Sequence, residues 1–127
     1  MITGQPFDSA HMRGIEGEQV LLRVFLSESR TLDHKPLHRH ILELLRREGL
    51  AGATVLTGLA GFGHDRRVHT TAIEVMAEGL PIVVEVVDTL EHIERLLPRI
   101  EALMGTRGVV TLERARVIRY AKSTRQS

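Results

Sequence analysis

At 127 residues, 43% of them hydrophobic, the chain is long enough for one domain that buries about two-thirds of the surface it exposes when unfolded. Seventeen Lys and Arg against sixteen Asp and Glu leave a formal charge of +1, which excludes the broad basic field that long nucleic acids select, so no nucleic-acid partner is expected. The absence of cysteine excludes disulfides, thiolate zinc sites and a cysteine nucleophile together.

Residues 1–17 mix Gly, Pro and polar types without periodicity and read as a flexible N-terminal extension. They lack the basic start and apolar run of a signal peptide, and no segment approaches the roughly 18 uninterrupted apolar residues of a membrane helix, so a cytoplasmic protein is expected. One folded domain is expected over residues 18–121, followed by a tail at 122–127.

The run QVLLRVFLS, Gln19 to Ser27, is dense in Val, Leu and Phe and too short for a good helix, so it reads as the first strand. Asp33 stands where an N-cap belongs and Pro36 suits a first helical turn. Leu37, Ile41, Leu44 and Leu45 then share one helical face, and Gly49 supplies the stop. A short β-branched segment, ATVLTGLAGF, follows and leads into a loop, and HTTAIEVM alternates as an extended segment should. Glu78 and Gly79 make a turn, Pro81 can open a strand, and IVVEVV is among the strongest strand signals in the chain. Asp88 or Thr89 caps a second helix on which Leu90, Ile93, Leu97, Ile100 and Met104 repeat at three and four residues. Pro98 inside that pattern predicts a bend, or a restart near Leu97. After GTRG, the segment VVTLERARVIRY is the last strand. The order strand, helix, strand, loop, strand, helix, strand predicts an α+β fold, a ferredoxin-like βαββαβ sandwich with an antiparallel sheet.

Two helices cover only one face of such a sheet. Yet Val20, Leu22, Val24 and Leu26 alternate with Leu21, Arg23 and Phe25, and Ile82, Val84 and Val86 alternate with Val83, Glu85 and Val87, so neither face is polar. A second copy of the chain is the simplest cover for the other face, with Arg23 and Glu85 paired with each other or across subunits to avoid lone buried charges.

The stretch GLAGFGHDRRVHT, Gly58 to Thr70, carries the densest chemistry. Gly58, Gly61 and Gly63 are in the wrong order for a dinucleotide fingerprint, and no Gly-Lys-Ser/Thr follows for a P-loop. Backbone free of side chains can approach a ligand closely and offer amides to an anion; the competing reading is a flexible hinge. Arg66 and Arg67 can clamp a phosphate or simply be solvated. His34, His38 and His40 invite a metal reading, but His34 precedes Pro36 and His40 leaves the helix in another direction than His38, so no metal site is assigned. No nucleophile, base and orienting partner stand at a motif spacing, so the chain reads as a sensor and not an enzyme.

The order of elements, the GFG of Gly61 to Gly63, the downstream His69 and Thr70, and LPIVVEVV together resemble the PII signalling proteins. More closely, KPLHRHILELLRREGLAGATVLTGLAGFG followed by RRVHT and LPIVVEVVD resembles the PII-like family catalogued as domain of unknown function one-ninety, over about Val20 to Arg119. The resemblance implies a homotrimer with sheets facing the three-fold axis and an adenine nucleotide in the clefts between subunits, with no obligatory cofactor. It also implies a long loop that changes with the ligand and docks on a partner such as a membrane transporter or enzyme. By that resemblance the nucleotide-binding residues are Gly58, Gly61, Phe62, Gly63, Arg66, Arg67, Gly105, Arg107, Gly108 and Arg119, and the partner loop contains His64, Asp65, His69 and Thr70. Two departures qualify it. The loop has no tyrosine to modify, and the turn Gly105–Thr106–Arg107–Gly108 is shorter than the PII phosphate segment, which favours AMP or ADP over ATP. The alternative within the same fold is a trimeric divalent-metal-binding protein of the cation-tolerance type that uses its histidines.

Overall fold

The Val- and Leu-rich runs alternate with period two and become strands; the two stretches with apolar residues at three and four become helices that cover them. The computed structural model describes residues 15–62, 69–70 and 79–120. In chain order these contain β1 (Gly17–Ser27), β2 (Thr31–Leu32), β3 (Lys35–Pro36), α1 (Leu37–Arg47), β4 (Thr54–Thr57), β5 (Ala60–Gly61), β6 (His69–Thr70), β7 (Pro81–Asp88), α2 (Leu90–Met104) and β8 (Val109–Val117). The main sheet runs β4–β7–β1–β8, antiparallel at every pairing, and β2–β3 and β5–β6 are two short ladders. This is the α+β, ferredoxin-like arrangement expected from the order of elements. No helix among the described residues is long and apolar enough to cross a membrane.

Register sorts the side chains. Leu22, Val24 and Leu26 of β1 and Ile82, Val84 and Val86 of β7 are buried on one face, against Leu37, Ile41, Leu44 and Leu45 of α1 and Ile93, Leu96, Ile100 and Met104 of α2. Each such aliphatic side chain contributes about 1.5–3 kcal/mol by leaving water. The opposite face carries Leu21, Phe25, Val83, Val87, Leu56 and Val109 and has no helix over it among the described residues; Phe25, Leu56 and Val109 are 37%, 46% and 55% exposed. In its middle, Arg23 donates to Glu85 at 2.8 Å and to Glu113 at 2.7 Å, joining β7, β1 and β8 in one ion triad. The hydrogen bond to Glu85 is the largest cause of the guanidinium being held above its ordinary pKa, and the charges of both glutamates add to it against the opposing effect of burial.

The helix ends correct two sequence expectations. Asp33 is not an N-cap: Asp33 and His34 have φ of 53° and 65° and form the two-residue turn of the β2–β3 hairpin, whose primed geometry needs positive φ at both positions. Pro36 takes the N-cap position of α1 without a side-chain cap. At the other end Gly49, at φ 78°, stops the helix as expected. Its amide donates to the Arg46 carbonyl at 3.1 Å and that of Leu50 to Leu45 at 3.2 Å, the paired bonds of a Schellman motif. Thr89 caps α2, its hydroxyl accepting the His92 amide at 3.1 Å. Helix α2 continues through Pro98 with no restart at Leu97, because Ile93 and Leu96 before the proline and Ile100 and Met104 after it enter one core, whose burial exceeds the roughly 3 kcal/mol that an interior proline costs. Its buried stripe uses Leu96 in place of Leu97, and Leu90 is exposed.

Candidate functional site

Of the glycines singled out in the sequence, Gly58, Gly61, Gly105 and Gly108 lie at one end of the sheet, where β1 and β4 finish and β7 and β8 begin. The Gly58 amide donates to the Pro81 carbonyl at 2.8 Å. A Cβ on Gly58 would lie 2.9 Å from the Pro81 ring, and one on Gly61 3.2 Å from it, so both glycines have a packing reason within the chain. Phe62 and its neighbour Leu59 are largely exposed beside them. Gly63, His64, Asp65, Arg66 and Arg67 lie outside the described residues. His69 and Thr70 form β6, opposite Gly61 and Ala60, and the rest of the expected extended segment, 71–76, lies outside the described residues.

The chain returns to the sheet through Gly79 at φ 82°, where a Cβ would stand 2.7 Å from the Ser29 amide nitrogen. This close approach lets the Glu28 amide donate to the Leu80 carbonyl at 2.8 Å while the Leu80 amide donates to the Glu28 carboxylate at 3.2 Å. The Ser29 amide donates to the Ser27 hydroxyl at 3.1 Å, and the two serine hydroxyls are 2.9 Å apart.

Three strands over from β4, at the start of β8, α2 ends in the turn Gly105 to Gly108. Gly105 and Gly108 take φ of 68° and 97°, which only glycine adopts cheaply, and Thr106 and Arg107 stand exposed between them. Strand spacing places this turn roughly 14 Å from Gly58, with the ends of β7 and β1 between them. Arg30, which sequence reasoning passed over, reaches the same turn. Its guanidinium donates to the Met104 carbonyl at 3.0 Å and the Arg107 carbonyl at 3.3 Å. A signal for it existed: the last turn of α2 carries no basic residue of its own.

Arg119 is exposed at the far end of β8, a strand length of about 27 Å from Arg107, so one copy of the chain cannot bring both to one ligand. Beside that far end the open face hollows into a depression of about 520 Å³, lined among others by Leu21, Gly52, Ala53, Thr54, Val87 and Tyr120. The small residues of Gly52–Thr54 received no role from sequence reasoning. Their loop is tied down by Asp88, fully buried, whose carboxylate accepts the amides of Ala51 at 2.9 Å and Thr89 at 2.7 Å.

The histidines of the β2–β3 turn and the two helices are dispersed. His34 sits in the β2–β3 turn, His40 Nε2 is 2.7 Å from the Leu32 carbonyl, and the ring nitrogens of His92 lie 3.3 Å from Asp88 and 3.1 Å from the Glu48 carbonyl. No group of three His, Cys, Asp or Glu residues that could hold a metal occurs among the described residues.

Residues 19–117 match the model of the DUF190 family, described as Uncharacterized ACR, COG1993. A UPF0166 protein of Aquifex aeolicus (strain VF5) is 37% identical over 98 residues, 77% of this chain and 91% of the relative. One from Methanocaldococcus jannaschii is 33% identical over 92 residues, 72% and 84% of the two chains. Among solved structures, CPII of Thiomonas intermedia K12 bound to ADP and bicarbonate aligns with a TM-score of 0.59 at 20% identity, covering 80% of this chain and 90% of that one. CPII of the same organism bound to ADP, AMP and acetate aligns with a TM-score of 0.57 at 20% identity, covering 81% and 91%. The match along nearly the whole folded chain, the relatives and the fold shared with CPII lead to one conclusion: the chain belongs to the DUF190 (UPF0166) family.

Proposed function

We propose that this protein is a PII-like sensor that binds an adenine nucleotide, AMP or ADP before ATP, in clefts between the subunits of a homotrimer. The observation that carries the reading is the placement of Arg107, exposed between two left-handed glycines at the sheet end where the long loop leaves and returns. Similarity to CPII, solved with ADP and with AMP, supports the choice of ligand. The distance between Arg107 and Arg119 supports a cleft built from two copies, with the Gly58–Arg107 end of one meeting the Arg119 end of the next. The apolar open face of the sheet supplies a surface for that association.

In this reading the ligand acts only through its different affinity for two states of the loop that begins at Phe62 and ends at Gly79. Exposed Leu59 and Phe62 at the loop base offer apolar contacts to a partner such as a membrane transporter or enzyme. The protein works by binding and performs no chemistry.

Calorimetric titration of the oligomer with AMP, ADP, ATP and cyclic AMP tests the reading. Saturable binding of AMP or ADP near one ligand per subunit is expected. Arg107→Ala should weaken it by roughly tenfold or more, the loss of a charge-assisted hydrogen bond, while the oligomer persists. Absence of binding by all four ligands would overturn the proposal.

A further inference from the structure

We propose that Arg30 is a positioning residue for the nucleotide phosphate, acting through the turn that carries Arg107; this rests on the nucleotide reading above. The turn follows the C-terminus of the 15-residue helix α2. A helix C-terminus presents unpaired carbonyls and about half a negative charge, which repels a phosphate. The last turn of α2 has no Lys, Arg or His to offset this. Arg30 supplies the missing cation from just past the end of the neighbouring strand β1, donating Nη2 to the Met104 carbonyl at 3.0 Å and Nη1 to the Arg107 carbonyl at 3.3 Å.

The guanidinium is held from behind. The Arg30 amide donates to the Ser27 carbonyl at 3.1 Å, and the Arg30 carbonyl accepts the Leu37 amide at 2.8 Å, so its backbone is pinned between β1 and the start of α1. With Nη1 and Nη2 directed to backbone carbonyls, Arg30 acts on the phosphate through Arg107 and the field at the helix end. The turn has little freedom elsewhere, since a Cβ on Gly108 would stand 3.1 Å from the Phe25 carbonyl. Two residues before Arg30, Glu28 exchanges its pair of hydrogen bonds with Leu80 at the returning stem of the long loop. The four-residue segment Ser27–Arg30 therefore touches both the phosphate turn and the loop.

The test uses the full chain with Arg30→Ala and Arg30→Lys, titrated with adenosine, AMP and ADP, alongside hydrogen exchange at the Gly105 amide, which donates to Glu101 at 3.0 Å. In Arg30→Ala, AMP and ADP should bind roughly tenfold more weakly, adenosine should change less than about twofold, Gly105 should exchange faster, and Arg30→Lys should fall between. An equal loss for adenosine would reduce Arg30 to a structural role and overturn the proposal, as would unchanged AMP and ADP affinity. If Arg30→Ala does not assemble, Arg30→Lys decides by the same comparison of ligands. If the wild type binds neither AMP nor ADP, the nucleotide reading and the phosphate role both fall. Gly105 exchange then still shows whether Arg30 holds the turn.

Discussion

The buried carboxylate of Asp88 accepts the backbone amide of Ala51 at 2.9 Å, fastening the connection between α1 and β4 to the last residue of β7. The same side chain accepts the Thr89 amide at the start of α2, so one group joins three elements. Asp88→Ala takes the acceptor from both half-buried amides and is expected to cost about 3–4 kcal/mol in urea unfolding. Asp88→Asn keeps one acceptor oxygen and should cost less. Equal losses for the two would show that space, and not hydrogen bonding, sets the effect.

Gly79→Ala places a methyl against the Ser29 amide in a left-handed residue, where neither backbone can yield cheaply. The expected loss is at least about 2 kcal/mol. Gly52→Ala, with nothing within 4 Å of its Cβ, is the control and should melt close to wild type. Indistinguishable melting of all three proteins would contradict the close packing of the loop stem on Ser27–Arg30.

On the open face, Arg23→Ala strands Glu85 and Glu113 among apolar neighbours. If the face is buried between copies, the uncompensated carboxylates should drive subunits apart, visible as a lower mass in sedimentation equilibrium. Removing one glutamate, as in Glu113→Gln, leaves the bond between Arg23 and Glu85 and should retain assembly. An Arg23→Ala protein of unchanged mass would place this face outside the interface.

Lys35 donates to Glu43 at 2.7 Å, and that hydrogen bond is the first cause of the Glu43 carboxyl being held below its ordinary pKa. A lowered folded-state value means that folding is favoured above the unfolded-state pKa and that the contribution vanishes as pH falls through the folded value. Lys35→Ala should therefore melt slightly below wild type at neutral pH, with the gap closing as the pH falls below the ordinary carboxylate range. A gap that persists at acid pH would assign it to the lysine stem and not to the ion pair.

The strand length between Arg107 and Arg119 makes a mixing experiment decisive for a shared site. Arg107→Ala and Arg119→Ala should each bind nucleotide weakly. Subunits unfolded together in equal amounts and refolded should recover about a quarter of the sites at full affinity, the fraction of interfaces that draw an intact arginine from each side. No recovery would mean that the two arginines do not serve one ligand.

The strands and helices were legible from residue order because their signals are local. Period-two alternation in QVLLRVFLS and IVVEVV placed Arg23 and Glu85 on one face, and the register then set them opposite each other. Gly49 and Pro81 marked a helix stop and a strand start where the structure has them. Asp33 misled because an aspartate serves a primed turn as readily as a cap, and the choice fell to the hairpin pairing of Thr31 with Pro36. Leu96 and Leu97 exchanged roles because the position of the core across the sheet, and not periodicity alone, selects which of two adjacent leucines enters it.

The sequence by itself determined the fold class, the two-faced sheet and the family, since apolar periodicity and motif spacing are carried by neighbouring residues. Only the tertiary structure decided that Arg30 reaches a turn 74 to 77 residues away, that Gly58 and Gly61 make room for the Pro81 ring, and that Arg107 and Arg119 lie at opposite ends of β8. Those relationships depend on which strands become neighbours and in what register, and that choice is made by burying one common core, which no single stretch of the chain encodes.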